Sequence, residues 1–167
     1  MTRRPKTDPL AREILATWKR HQQILLFLLQ RIPEKHLGAV PASSKGRDVA
    51  RQFAHLNRNR LGWLHFHATG GRPDLPGSSK GERPKKKELA AALRESGKRV
   101  EELLAKGLRR EARVRLFGQS PVRWMGYLIA HESHHRGQIL LALKQSGFTF
   151  DEKVGVQGLW GKWMFGK

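Results

Sequence analysis

The sequence predicts an all-α protein: a four-helix bundle followed by an irregular C-terminal tail. Apolar residues recur every three to four positions in four long segments, as the buried face of a helix requires. Capping residues and helix-stop signals bound these segments. The length of 167 residues suits one domain with a real core and is short for two. We therefore expect a single helical domain over residues 1–167, with connections of mixed length.

The first helix is expected from Asp8 to Ile32. Asp8 followed by Pro9 supplies a cap and a first-turn proline, and Pro33 stops the helix. The expected buried stripe consists of Leu10, Ile14, Trp18, Leu25, Leu28 and Ile32.

The second helix is expected from Asp48 to Ala68, after a turn-rich segment that begins at Pro41. The residues Gly70 and Gly71 end it. Its apolar face consists of Val49, Phe53, Leu56, Trp63 and Leu64.

The second half of the sequence predicts two more helices, Lys85–Lys106 and a segment that Ser120 caps and Gly147 ends. Residues 72–83 are rich in Pro, Gly, Ser and charge and should form a loop. The alternation in 113–117 weakly suggests an extended segment. The tail, 148–167, should be irregular but packed on the bundle, because it would otherwise expose Trp160 and Trp163.

Composition limits the functions that this chain can have. The absence of cysteine excludes disulfides and thiolate metal ligands, so a bound metal must use histidine, carboxylate or water. The longest apolar run, Ile24–Leu29, is far shorter than the ~20 residues that cross a bilayer. We expect a cytoplasmic protein with no membrane role.

The net charge of +19 is extreme for this length. It would attract polyanions and speed the encounter with an anionic substrate. The Lys and Arg residues are nevertheless spread along the chain, with one dense run at Lys85–Lys87. Nucleic acid is therefore a possible partner but not a favoured one.

The run His131-Glu-Ser-His-His135 is the most informative feature of the sequence. A spacing of four residues places His131 and His135 on one helical face, where both can bind a single divalent ion. The same face carries Trp124, Leu128, Gln138 and Ala142, so the two imidazoles should point into the bundle. They could instead be hydrogen-bonded core residues, but burying two adjacent imidazoles without partners is costly.

A third ligand must come from another helix, and two candidates lie on the second one. Helical projection places His55 at the edge of the core, beside Asn59, whereas His67 lies nearer the core centre. Helical periodicity leaves both open. His65 lies on the far side from His55 and is a poor candidate.

The run at 131–135 also fits the H-E-x-x-H pattern of zinc proteases, in which the glutamate is the general base. The longer protease signature fails, because Gln138 stands where its glycine should be. A metallohydrolase of this type is a less favoured alternative.

Two segments resemble the DinB/YfiT-like metalloenzyme family. These are Ser44-Lys-Gly-Arg-Asp-Val-Ala-Arg-Gln-Phe-Ala-His55-Leu with Trp63-Leu64, and His131-Glu-Ser-His-His135-Arg-Gly-Gln-Ile. The resemblance extends over nearly the whole chain. It implies a four-helix bundle of DinB topology, often a homodimer, that holds zinc or nickel with three histidines. Carried over, the ligands are His55, His131 and His135, which favours His55 over His67.

Characterised members of that family include transferases that join a low-molecular-weight thiol to an electrophile. The resemblance thus implies a metal-dependent enzyme of the thiol S-transferase type, with a small-molecule substrate. Glu132, Asn59 and Gln138 are candidates for orienting the ligands or handling protons. Glu132 could equally be a solvated residue paired with Arg136. Arg58 or Arg136 could hold a substrate carboxylate. Alternatives are a non-catalytic, metal-stabilised bundle that binds an acidic partner, and a degenerate family member.

Overall fold

The structure, a computed structural model, describes residues 8–42, 46–74 and 83–166. Within these ranges it is all-helical and contains no β-strand. The long helices are α1 (Pro9–Arg31), α2 (Val49–Thr69), α3 (Lys86–Leu108) and α4 (Pro121–Gln145). Short 3-10 turns occupy Glu34–His36 and Phe117–Gln119. The N-terminal residues, and parts of the predicted 41–48 turn and 72–83 loop, lie outside the described residues.

The helix ends confirm the predicted caps at Asp8 and Ser120 and the predicted end at Gly70, and they show that Asp48 caps α2. The Asp8 and Asp48 carboxylates accept hydrogen bonds from the amides of Leu10 and Arg51, which lie in the first turns of α1 and α2. Ser120 directly precedes α4, and its hydroxyl accepts a hydrogen bond from the Arg123 amide. Gly70 ends α2 in the left-handed conformation, with φ of 81°.

The four long helices pack around two apolar clusters. One holds the second half of α1 with the start of α2 and the end of α4, and it includes Leu28, Phe53 and Ile139. The other lies towards the opposite end of α1 and contains Trp18, Val100 and Trp124. Leu10, predicted to be buried, is 66% exposed at the beginning of α1.

Helices α2 and α4 run antiparallel along a shared seam. Gln52 contacts His135, Asn59 contacts His131, and Trp63 packs against Tyr127. Position numbers therefore rise along α2 as they fall along α4. Side chains from the two helices meet at several points along this seam.

The segment 113–117 is not extended, so this prediction was wrong. Leu116 and Phe117 have φ of 59° and 48°, which no strand tolerates, and no neighbouring strand is present in the described residues to pair with. The Arg115 amide instead donates to His67 Nδ1. This contact ties the segment to the end of α2.

Residues 152–164 of the tail are helical and not irregular, which corrects a second prediction. A π-helical turn at Val154–Trp160 leads into the short helix α5 (Gly161–Met164). A Cβ at Gly158 would collide with the Phe27 ring of α1, so glycine allows this close approach. Trp163 packs against the core as expected, but Trp160 is 63% exposed.

No described helix is both long enough and apolar enough to cross a membrane.

Candidate metal centre

His55 from α2 converges with His131 and His135 from α4. The ring centroids are 5.4 Å (His55–His131), 4.7 Å (His55–His135) and 4.8 Å (His131–His135) apart. One nitrogen from each ring lies within 4.8 Å of the others. In a tetrahedral site with Zn–N bonds of about 2.1 Å, the coordinating nitrogens of two imidazoles lie roughly 3.4 Å apart. Small side-chain rotations therefore suffice to bring the three nitrogens around one ion.

Nδ1 of His135 and Nδ1 of His131 each have a polar partner. His135 Nδ1 lies 3.1 Å from Gln52 Oε1, which suits an Nδ1–H donor. The Asn59 amide lies 3.4 Å from His131 Nδ1, and a 180° turn of the amide would place its oxygen there to accept. A protonated Nδ1 leaves Nε2 as the free lone pair, which is the tautomer that a metal ligand needs.

The electrostatics of the triad keep its imidazoles neutral. Burial and the two other histidines lower the pKa of His135 to about 4. Burial, with the nearby positive charge of Arg47, also lowers the pKa of His55 to about 4. The pKa of His131 is lowered by burial as well, although Glu132 opposes this. At neutral pH all three rings therefore present lone pairs, and the donor set fits a divalent ion such as zinc or nickel.

His67, the competing candidate ligand, and His134, the neighbour of His135, do not join this cluster. His67 is buried, lies 4.5 Å from the Trp124 ring, and accepts the Arg115 amide at Nδ1. His134 is exposed, and its Nε2 is hydrogen-bonded to the Gln138 amide nitrogen at 2.8 Å. Gln138 thus holds His134 in this structure and makes no hydrogen bond to a triad ring.

Glu132 is not a solvated residue paired with Arg136, and this interpretation was wrong. Its carboxylate is fully buried and takes two hydrogen bonds of 2.6 Å from Arg60 of α2. It also lies 2.8 Å from His21 Nε2 of α1. Burial opposes its charge, but Arg60 and His21 outweigh this effect and hold the pKa of Glu132 below its usual range. We call Glu132, Arg60 and His21 the buried charge cluster.

The buried charge cluster removes the basis for a zinc-protease mechanism. In an H-E-x-x-H enzyme the glutamate faces the metal site and accepts a proton. Here both carboxylate oxygens of Glu132 already bind buried donors, and a lowered pKa makes the group a poor base. Glu132 therefore has a different role from the two histidines that flank it.

Two clefts border the triad along the α2–α4 seam. The larger, about 510 Å³, includes His55 in its wall together with Asn59, Arg58 and the apolar side chains of Trp63 and Phe66. The smaller, about 340 Å³, includes His135 and is lined by Arg47, Gln52 and Gln138, among others. We call them the aromatic cleft and the polar cleft. Arg136 lines neither and instead donates to Ser133.

Sequence reasoning missed four residues around this centre. Gln52, one turn before His55, and Arg47 appeared in the sequence only as parts of a motif. His21 occupies the gap between Trp18 and Leu25 in the α1 stripe, which was the available signal for a buried histidine. Arg60 gave no such signal, because arginines are seldom fully buried.

Comparison with known proteins identifies the family. The profile described as DinB family matches residues 2–163, which is nearly the whole chain. None of the curated proteins matches the chain. The matched range includes all three histidines of the triad and both clefts.

Proposed function

Because the chain belongs to the DinB family and brings three neutral imidazoles together between two clefts, we propose that it is a metal-dependent enzyme. The proposed reaction joins a low-molecular-weight thiol to an electrophile. The observation that carries the proposal is the position of the triad, with His55 in the wall of one cleft and His135 in the wall of the other. Zinc and nickel are the proposed ions.

The chain supplies three ligands, and a tetrahedral site has four positions. A divalent ion held by His55, His131 and His135 would supply positive charge that favours the thiolate form of a bound thiol at neutral pH. Gln52 orients the His135 ring through Nδ1, and the Asn59 amide is placed to do the same for His131. Trp63 and Phe66 give the aromatic cleft an apolar wall beside His55.

The proposed chemistry balances without any further reactant. In a displacement, the thiol loses its proton to water or buffer, and its sulfur forms a bond to carbon. The carbon–leaving-group bond breaks, and the leaving group departs with the bonding electrons. Nothing is oxidised or reduced, so no redox cofactor is needed.

The test compares two histidine variants on the same helix. The purified protein is loaded with zinc or nickel, its metal content is measured by elemental analysis, and conjugation of a thiol to 1-chloro-2,4-dinitrobenzene is followed. We expect His135→Ala to lose metal and rate together. His134→Ala, which changes an exposed neighbour, should keep both.

Undiminished metal in His135→Ala would overturn the ligand assignment. Full metal loading of the unaltered protein, with no rate above that of free metal, would overturn the enzymatic part. It would leave a metal-stabilised bundle that binds an acidic partner, a role for which the net charge of +19 is suited. The homodimer and the cytoplasmic location that the sequence suggested remain predictions.

A further inference from the structure

The two clefts lie at different levels of the α2–α4 seam. The polar cleft includes Gln52 and Gln138, which lie towards the start of α2 and the end of α4. The aromatic cleft includes Asn59 and Phe66, which lie further along α2. With a rise of about 1.5 Å per helical residue, Gln52 and Phe66 are roughly 21 Å apart along α2. The triad lies between the clefts, so two ligands can approach it without competing for the same space.

The aromatic cleft is lined by Arg58 and Arg72 as well, but its wall is mainly apolar and suits a flat, apolar group. Trp63 is held in place by ring contacts to Phe66, Phe117 and Tyr127, at centroid distances of 4.9 to 5.8 Å. Leu116 forms another part of the wall and is 60% exposed. A rigid aromatic wall binds planar apolar groups at low entropic cost.

The chemistry of the polar cleft suits an anion. Gln52 and Gln138 supply amides, and Arg47 supplies a full positive charge. Arg47 and His135 line the same cleft. A carboxylate bound to Arg47 would therefore belong to a molecule that also reaches the triad.

We propose that the two clefts bind the two substrates separately, with a carboxylate-bearing thiol in the polar cleft beside Arg47 and a flat apolar electrophile in the aromatic cleft. This inference rests on the proposed function and assigns its substrate classes. Arg47 is a substrate-binding residue in this arrangement. Its charge selects an anionic thiol over a neutral one.

The first experiment measures thiol binding and needs no turnover. The protein is saturated with Co²⁺, and the near-ultraviolet charge-transfer absorbance of a cobalt–thiolate bond is followed during titration. The probes are 3-mercaptopropionate, which carries a carboxylate, and 2-mercaptoethanol, which does not. Arg47→Gln is compared with Arg58→Gln, a matched change in the aromatic cleft.

We expect Arg47→Gln to weaken the binding of 3-mercaptopropionate about fivefold, the upper range for a solvent-exposed ion pair. The same variant should bind 2-mercaptoethanol like the unaltered protein, which shows that the cobalt site is intact. Arg58→Gln should bind both thiols normally. Equal binding of the two thiols by the unaltered protein, or a loss confined to Arg58→Gln, would overturn the inference.

The second experiment tests the aromatic cleft by measuring the KM for the electrophile and the KM for the thiol in each variant. Leu116→Ala should raise the KM for 1-chloro-2,4-dinitrobenzene about fourfold for each methylene that loses contact, with the KM for the thiol unchanged. Arg47→Gln should give the reverse pattern. Changes in both constants with either variant would contradict separate clefts.

The outcomes separate this inference from the proposed function. No cobalt–thiolate absorbance in the unaltered protein would overturn the thiol chemistry itself. Absorbance that is insensitive to Arg47 would overturn only the assignment of the polar cleft.

Discussion

Helix α4 carries two polar groups of opposite character within five residues. His131 and His135 lie beside a third imidazole, and His135 lines the polar cleft, whereas Glu132, between them in sequence, is fully buried and paired with Arg60. Successive helical residues are about 100° apart, so one helix can present both groups on different faces. A metal centre needs ring nitrogens with free lone pairs, whereas in the buried charge cluster both carboxylate oxygens of Glu132 already accept hydrogen bonds.

The buried charge cluster also connects all four long helices. Glu132 of α4 binds Arg60 of α2 and His21 of α1. Arg60 donates a further hydrogen bond to the Leu93 carbonyl of α3, and its guanidinium lies 5.0 Å from the Trp18 ring centroid. These contacts fix the rotation of α4 about its axis. They therefore help to aim His131 and His135 at His55.

The largest effect should follow loss of the Glu132 carboxylate. Glu132→Ala leaves Arg60 charged, buried and unpaired, and breaking such a pair costs about 3–5 kcal/mol. Urea denaturation of the metal-free protein would measure this loss in the free energy of unfolding. Glu111→Ala is the matched control, because it breaks an exposed pair with Arg109 and should change little. Equal losses in the two variants would show that the cluster has no special role in stability.

The next effect should appear at the triad and only when metal is present. His131→Ala removes a half-buried ring whose only hydrogen-bond partner in the described residues is the Asn59 amide. The metal-free variant should melt close to the unaltered protein. The unaltered protein should gain about 2.7 kcal/mol of stability at a metal concentration of 100 times Kd, and the variant should not.

Thermal melts with and without zinc or nickel measure this difference. His134→Ala should retain the full gain from metal. If metal-free His131→Ala lost as much stability as Glu132→Ala, the distinction between the two regions would fail.

A smaller effect should come from the residues that orient the ligands. Gln52→Ala removes the 3.1 Å partner of His135 Nδ1 and should weaken metal binding about 10- to 100-fold. Asn59→Ala should cost less, because its contact with His131 is longer, at 3.4 Å. Competition with a chelator gives both affinities. A larger loss for Asn59→Ala would reverse our ranking of the two contacts.

Local signals made the four long helices predictable. Capping by Asp8 and Ser120 depends on the residues next in sequence, and the structure confirms both caps. The tail depends instead on a distant contact, because Gly158 is needed for approach to Phe27 of α1. Glycine content alone suggested irregular structure there.

The site was predictable where one helix determined it. The spacing of His131 and His135 placed both rings together, but choosing His55 over His67 required the family resemblance. The role of Glu132 depends on Arg60, which lies on another helix and 72 positions away in sequence. Helical periodicity placed the histidines on the buried face and left Glu132 as a solvated residue, whereas Glu132 is fully buried.

The smallest effect concerns His67, a buried imidazole outside both regions. Burial, with the nearby charge of Arg115, lowers its pKa from 6.5 to about 4. Between these values the unfolded chain binds a proton that the folded protein excludes, so the contribution of His67 to stability falls as pH drops from 6.5 towards 4 and then levels off. His67→Asn keeps an acceptor for the Arg115 amide but does not titrate. In metal-free protein, urea denaturation at pH 7 and pH 5 should show a weaker pH dependence for the variant. Because both proteins contain the same triad, the difference between their curves isolates His67, and parallel curves would mean that this ring does not oppose acid unfolding.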